Sequence, residues 1–254
     1  MGKYFEALER AEKAYGRRAP EAPLKPIAET PPPISPSEAT HEPMDCYEAL
    51  KTNILSHHPG QTIKTILFLG TTHGAGASTT AINFATTLAR SFRLKVLLIE
   101  ANLRTPGVHT AFRIEPERGL SDIMSNGDKP DFYIKKVKSG NLSVVTAGSK
   151  LTEAVSLFES DRFNEFLTSV RVAFDYIILD GPPITSFSEA RVLCTKVDGV
   201  VIVIEAGKTR EQVAVRAKKE LEEAGGKVLG VVLNKRKFYI PEWIYKRLYQ
   251  AVWR

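Results

Sequence analysis

Cysteine is scarce: the 254 residues hold two, Cys46 and Cys194, in helical or apolar surroundings without metal-ligand spacing. That argues against a disulfide-stapled scaffold and a thiolate metal centre, and fits small core residues in a reducing compartment. Long apolar runs are missing too. Nothing approaches the roughly 20 residues a bilayer crossing needs. The opening Met1-Gly2-Lys3-Tyr4-Phe5-Glu6 has neither an apolar leader nor the Ser or Thr of a myristoylation signal. A cytoplasmic protein is expected. Neither sign of charge dominates: 35 Lys and Arg against 29 Asp and Glu leave +6, spread over helices and the C-terminus as a solvated surface rather than a nucleic-acid face. Weak attraction to anionic lipid stays open. With 43% hydrophobic and 25% charged residues, the chain can bury one large core.

One further absence lies in the stretch that organises the chain. Ile66-Leu67-Phe68-Leu69 is an apolar run, Gly70-Thr71-Thr72-His73-Gly74-Ala75-Gly76 a glycine-rich loop, and Ala77-Ser78-Thr79-Thr80 opens an amphipathic segment. The order reads strand, loop, helix. Such a loop cradles phosphate because its backbone N–H groups converge on an anion at a helix N-terminus, where the dipole adds positive potential. The phosphate-loop pattern ends in Gly-Lys and then Ser or Thr. Gly76 and Ser78 are in place, but Ala77 stands where the lysine belongs, so the loop is a degenerate phosphate site.

Along the chain, Tyr4, Phe5, Leu8, Ala11 and Tyr15 recur at helical spacing and predict an amphipathic helix over residues 1–16. Residues 17–43 carry prolines at 20, 23, 26, 31, 32, 33, 36 and 43, which deny the backbone donors that helices and sheets need and predict a disordered linker. The core domain is expected over 44–254, opening with a helix from Asp45 to Ser56. After the loop helix (Ser78 to about Ser91) come unalternating apolar runs: 95–100, 142–145, 176–180, 199–204 and 228–233. Parallel strands buried on both faces have this pattern. Helical patterns at 161–174, 187–197 and 211–224 lie between most of them, which predicts an α/β fold: a mostly parallel sheet with helices on both faces and right-handed crossovers. Ligands bind such sheets at the carboxyl ends of the strands, where Gly70, Glu100 and Asp180 fall. Gly74, Gly76, Ser78, Glu100 and Asp180 are expected around one cleft, with Asn234 near its rim.

From about Asp45 to Leu248 the chain resembles the bacterial tyrosine kinases of exopolysaccharide and capsule synthesis, whose fold is akin to that of the septum-site and partition ATPases, a P-loop type. The resemblance rests on the loop 73–79, on Glu100-Ala101-Asn102-Leu103-Arg104-Thr105-Pro106, on Ile177-Ile178-Leu179-Asp180 and on framework segments. These include Gly119-Leu120-Ser121-Asp122, Phe174-Asp175-Tyr176, Val197-Asp198-Gly199-Val200, Ala206-Gly207-Lys208-Thr209 and Leu229-Gly230-Val231-Val232-Leu233-Asn234. The family's loop lysine falls on Ala77, and the two aspartates of its second motif fall on Glu100 and Asn102.

The resemblance implies ATP and Mg2+ as cofactors, weakened by loss of the loop lysine. Glu100 and Asp180 would be the catalytic acids, Ser78 and Asp180 the metal ligands, and Gly74, Gly76, Ala77, Ser78, Thr79, Arg104 and Asn234 the nucleotide contacts. Arg104 or His73 would lend charge in the lysine's place. Tyr239, Tyr245 and Tyr249 are candidate phosphosites, although Ile240, Trp243, Ile244 and Leu248 interleave them as in an amphipathic helix. The implied partner is a membrane-anchored polysaccharide co-polymerase of the chain-length determinant type, which would bring the chain to the inner membrane. The family's oligomer-forming charges fall on Asp45, Glu48 and Lys51, the middle one inverted, which puts ring assembly as a homo-oligomer in doubt. A binding and regulatory subunit with impaired catalysis is expected, against an active ATP-dependent tyrosine autokinase. A membrane-cycling septum-site ATPase fits less well, since its additional loop lysine falls on Thr72.

Overall fold

The structure, a computed structural model, describes residues 42–56, 60, 62–90, 94–116, 118–126, 129–137, 141–148 and 154–236. The expected N-terminal helix, the linker up to residue 41, and Tyr239, Tyr245 and Tyr249 lie outside the described residues. The apolar runs become strands: β1 (Thr65–Gly70), β2 (Val96–Glu100), a short β3 (Lys135–Lys136), β4 (Leu142–Val145), β5 (Tyr176–Asp180), β6 (Gly199–Glu205) and β7 (Val228–Asn234). They form a sheet in the order β3-β4-β2-β5-β1-β6-β7. Every pairing is parallel except the edge pair β3 and β4, where Lys135 faces Val144.

The helices are α1 (Glu42–Ser56), α2 (Ala77–Ala89), α3 (Val108–Phe112), α4 (Leu120–Asn126), α5 (Ala154–Glu159), α6 (Asp161–Ala173), α7 (Glu189–Leu193) and α8 (Glu211–Glu223). Alternate strand residues sort into two cores. Ile66, Phe68, Leu98, Ile178 and Val201 pack with Phe84 and Leu88 of α2 and Ile54 of α1. Leu67, Leu69, Ile99, Leu179 and Ile202 pack with Phe158, Phe163, Leu193 and Leu221 of α5 to α8. Both faces of the central strands are therefore covered, as their lack of alternation requires, whereas the edge strand β7, expected to be buried on both faces, leaves Val231 and Leu233 exposed among the described residues.

The helix expected over 187–197 is only Glu189–Leu193, and α3, α4, α5 and β3 lie where no element was expected. Segments of two to seven residues are too short to display a hydrophobic period. α1 opens at Glu42 with Pro43 in its first turn, where a missing N–H is harmless. On α1, Glu48 pairs with Lys51 at 3.5 Å.

The framework motif around Asp198 has a mechanical reason. Its Oδ2 accepts from the N–H groups of Lys64 (2.8 Å) and Thr65 (2.7 Å), and its Oδ1 from Arg171 Nη2 (2.9 Å). The start of β6 is thereby tied to the start of β1 and to α6. Burial alone would raise the Asp198 carboxyl, but Arg171 and the two N–H groups outweigh it and hold the group below the usual aspartate range. Asp198→Ala is expected to destabilise the fold by about 2 kcal/mol at pH 7, since two backbone donors lose their acceptor. Because the folded value is depressed, the contribution is complete above the ordinary aspartate range and fades as pH falls through the folded value. Urea melts of wild type and variant at pH 7 and pH 3 check this: the gap should shrink at pH 3.

Candidate functional site

β1 ends at Gly70, and the chain turns through Thr71, held by a bond from its N–H to the Val203 carbonyl (3.0 Å), into α2. Gly76 takes φ +93°, and a Cβ there would lie 2.1 Å from Asn234 Nδ2. A side chain at residue 76 is thus excluded both by backbone conformation and by the end of β7. The first bond within the helix runs from Thr80 N–H to the Gly76 carbonyl (3.0 Å), so the N–H groups of Ala77, Ser78 and Thr79 have no acceptor inside α2. They border a cavity of about 300 Å3 lined by the loop from Thr72 to Thr79 and by Asn102, Thr105, Gly181, Pro183 and Lys235. Open N–H groups at a helix N-terminus, behind a loop of glycines, suit a phosphate. A larger cavity of about 690 Å3 lies elsewhere, among Lys95, Asn141 and Phe174 at the starts of β2, β4 and β5, where none of the expected site residues falls.

Glu100 and Asp180 are register partners at the ends of β2 and β5, and both are fully buried. Their surroundings differ. Glu100 Oε1 accepts from the N–H groups of Gly107 and Val108, both at 2.5 Å, and Oε2 from Ala147 N–H (2.9 Å). Its carboxylate is taken up by backbone, tying the segment after β2 to the end of β4, with His109 Nδ1 at 3.9 Å from Oε2; neither Glu100 nor Asp180 is among the residues lining the loop cavity. Neither Asp180 oxygen has a hydrogen-bond partner among the described residues. Burial pushes the Asp180 carboxyl up to about 7; the nearby Ser78 hydroxyl pulls it down, short of a well-formed hydrogen bond, and Glu100 pushes it up. A buried carboxyl with two orphan oxygens beside a loop hydroxyl is a donor set that fits Mg2+. Among the described residues no three His, Cys, Asp or Glu side chains form a metal cluster, so phosphate oxygens and water would complete the shell.

Of the remaining expected contacts, Asn102 borders the cavity and accepts from Thr105 N–H (3.2 Å). Arg104 does not border it. Its Nη2 lies 2.7 Å from Glu189 Oε1, its Nε donates to the same oxygen at 2.8 Å, and its guanidinium sits 5.2 Å from the Phe187 ring centre. That charge neutralises the buried Glu189. His73 lies exposed on the cavity wall. Asn234 Nδ2 donates to the Ala75 carbonyl (3.0 Å), clamping the loop from the β7 side. Sequence reasoning missed Lys235, whose Nζ donates to the Gly74 carbonyl at 2.6 Å. Its position one residue past a strand that ends on the cleft was the available signal.

A family model described as an AAA domain matches residues 63–231. The chain is 34% identical over 191 residues to the tyrosine-protein kinase YwqD of Bacillus subtilis, covering 75% of this chain and 80% of that one. The kinase domain of the Escherichia coli tyrosine kinase ETK superposes with a TM-score of 0.74 at 23% identity, covering 86% of this chain and 88% of that one. The cell division ATPase MinD of Pyrococcus furiosus shares the fold more distantly, with a TM-score of 0.57 at 18% identity over 74% of this chain and 79% of that one.

Proposed function

Because the chain belongs to the tyrosine-protein kinase family of bacteria, we propose that it is a catalytically impaired member that binds nucleotide and regulates exopolysaccharide or capsule synthesis and export. The observation that carries this reading is Ala77 at the head of an otherwise intact phosphate loop. Phosphoryl transfer by such a site is largely positioning and charge stabilisation. The N–H groups of residues 77–79 would hold phosphate oxygens, while the Ser78 hydroxyl and the Asp180 carboxylate would hold a magnesium ion. A bound magnesium ion supplies charge neutralisation on those oxygens. Removing one well-placed electrostatic group typically lowers rate by about 10²- to 10³-fold, whereas the backbone cradle that binds the ground state survives. Binding thus outlasts catalysis. In this reading a membrane-anchored co-polymerase recruits the chain through protein contact; no described helix is long and apolar enough to cross a membrane.

The rival reading is an active autokinase, which the placement of Ser78 and Asp180 favours. Calorimetric titration with ATP and Mg2+, run beside a radiolabelled autophosphorylation assay, separates the two. Wild type is expected to bind measurably and to leave its tyrosines unlabelled. Ala77→Lys with Asn102→Asp should tighten ATP binding by about tenfold or more, an ammonium on phosphate being a strong charge-assisted contact. Wild-type labelling at the rate of an active kinase would overturn the proposal, and an unchanged affinity in the double variant would show that Ala77 is not the defect.

A further inference from the structure

We infer that Lys235 supplies the phosphate-facing positive charge that the loop lacks at Ala77, delivered from the end of β7 instead of from the head of α2. The inference rests on the nucleotide-binding reading above and assigns its missing cation.

Three observations converge. Lys235 is the one Lys or Arg among the described residues lining the loop cavity; Arg104, the other candidate, is taken up by Glu189. The base of Lys235 is fixed against the loop, because Asn234 clamps the Ala75 carbonyl and leaves no room for a side chain at Gly76. Lys235 itself takes φ +55°, a left-handed conformation uncommon for lysine, and its own N–H donates to Asn234 Oδ1 (2.9 Å). The chain thus holds a lysine in an unfavourable conformation directly beside the glycine loop.

The ammonium itself is only parked. Its contacts are the Gly74 carbonyl at 2.6 Å and Glu205 Oε1 at 3.4 Å, and the side chain is 47% exposed. Glu205 holds a second cation, Lys208, at 3.2 Å. A polyphosphate arriving on the N–H groups of residues 77–79 can therefore draw Lys235 across the loop mouth on its flexible stem, leaving Glu205 paired with Lys208. No charge is stranded by the move. The ligand class that fits is a nucleoside di- or triphosphate, whose outer phosphates meet the cation, rather than a monophosphate.

The test is calorimetric titration of the full chain at low salt with ATP, ADP and AMP, each with Mg2+, on wild type, Lys235→Ala, Lys235→Gly and Lys235→Arg. Loss of one charge-assisted contact should weaken ATP binding about 10- to 100-fold in the Ala and Gly variants, ADP binding less, and AMP binding little. Lys235→Arg should stay within about threefold of wild type because it keeps the charge. The glycine variant also relieves the left-handed backbone, so a melting temperature at or above that of wild type separates lost charge from lost fold. In an Ala77→Lys background, Lys235→Ala should cost less than about threefold, the two cations being redundant. Unchanged ATP affinity in Lys235→Ala and Lys235→Gly overturns the inference and leaves the nucleotide-binding reading standing. An equal loss in Lys235→Arg overturns it in favour of geometry. A wild-type chain that binds no nucleotide removes both.

Discussion

Glu100→Ala is expected to destabilise the protein by about 4 kcal/mol, the largest effect foreseen for a single side chain here. Three backbone donors, on Gly107, Val108 and Ala147, end on its two oxygens, which are fully buried. An unpartnered buried donor costs about 1 to 3 kcal/mol, and more when the lost acceptor is ionised. In a chain of this size that corresponds to a drop of roughly 10 °C in melting temperature. Glu100→Asp should fall between: the charge stays, but the carboxylate withdraws by one methylene and cannot reach all three groups. The segment that Glu100 holds also carries Asn102 and Thr105 into the cavity wall, so both variants should lose nucleotide affinity with stability rather than independently of it. Urea denaturation decides the matter. An alanine variant within 1 kcal/mol of wild type would mean that the carboxylate is not a strut.

Asp180→Asn should do the opposite and stabilise the protein in magnesium-free buffer at pH 8. The carboxyl is buried without a hydrogen-bond partner among the described residues, and burial, aided by Glu100, raises it from 3.8 to about 7. A raised folded value means that the folded chain keeps a proton the unfolded chain has released between those limits. Stability from this group is therefore full below about pH 4, declines as pH climbs, and is gone above about pH 7. Asparagine removes that slope. The gap between 3.8 and about 7 caps the gain near 4 kcal/mol at about 1.4 kcal/mol per pH unit, and the two proteins should nearly coincide at pH 4. Thermal melts in chelator at pH 4 and pH 8 measure it, and a variant no more stable than wild type at pH 8 would refute the burial argument. The same substitution should abolish the rise in melting temperature that ATP with Mg2+ gives wild type through preferential binding to the folded state, because the ion loses its carboxylate. A chain stabilised by losing a buried acid, yet unable to hold its ligand without it, has that acid for binding rather than for folding.

These two acids mark how far the sequence could be read. Each closes an apolar run, at the end of a strand, in register with the other, and nothing local distinguishes them. The runs themselves were legible because burial on both faces is written in the residues of the central strands: β4 and β5 begin and end where expected, β2, β6 and β7 differ by a residue at one end, and β1 by a residue at each end. The phosphate loop and its missing lysine were equally local, since a glycine-rich turn between a strand and a helix needs no distant partner to be recognised. What the tertiary structure alone decided is which long-range group meets each charge. Glu100 became a strut because the chain folds Gly107, Val108 and Ala147 over it, Arg104 was drawn to Glu189 across 85 residues, and Lys235 reached the loop across 161. Hydrophobic period is a property of neighbouring residues, so the sequence by itself determined the layers of this protein. The pairing of a buried charge depends on which backbone amide or counter-charge the closed fold places within 3 Å, and that exists only once the chain has closed.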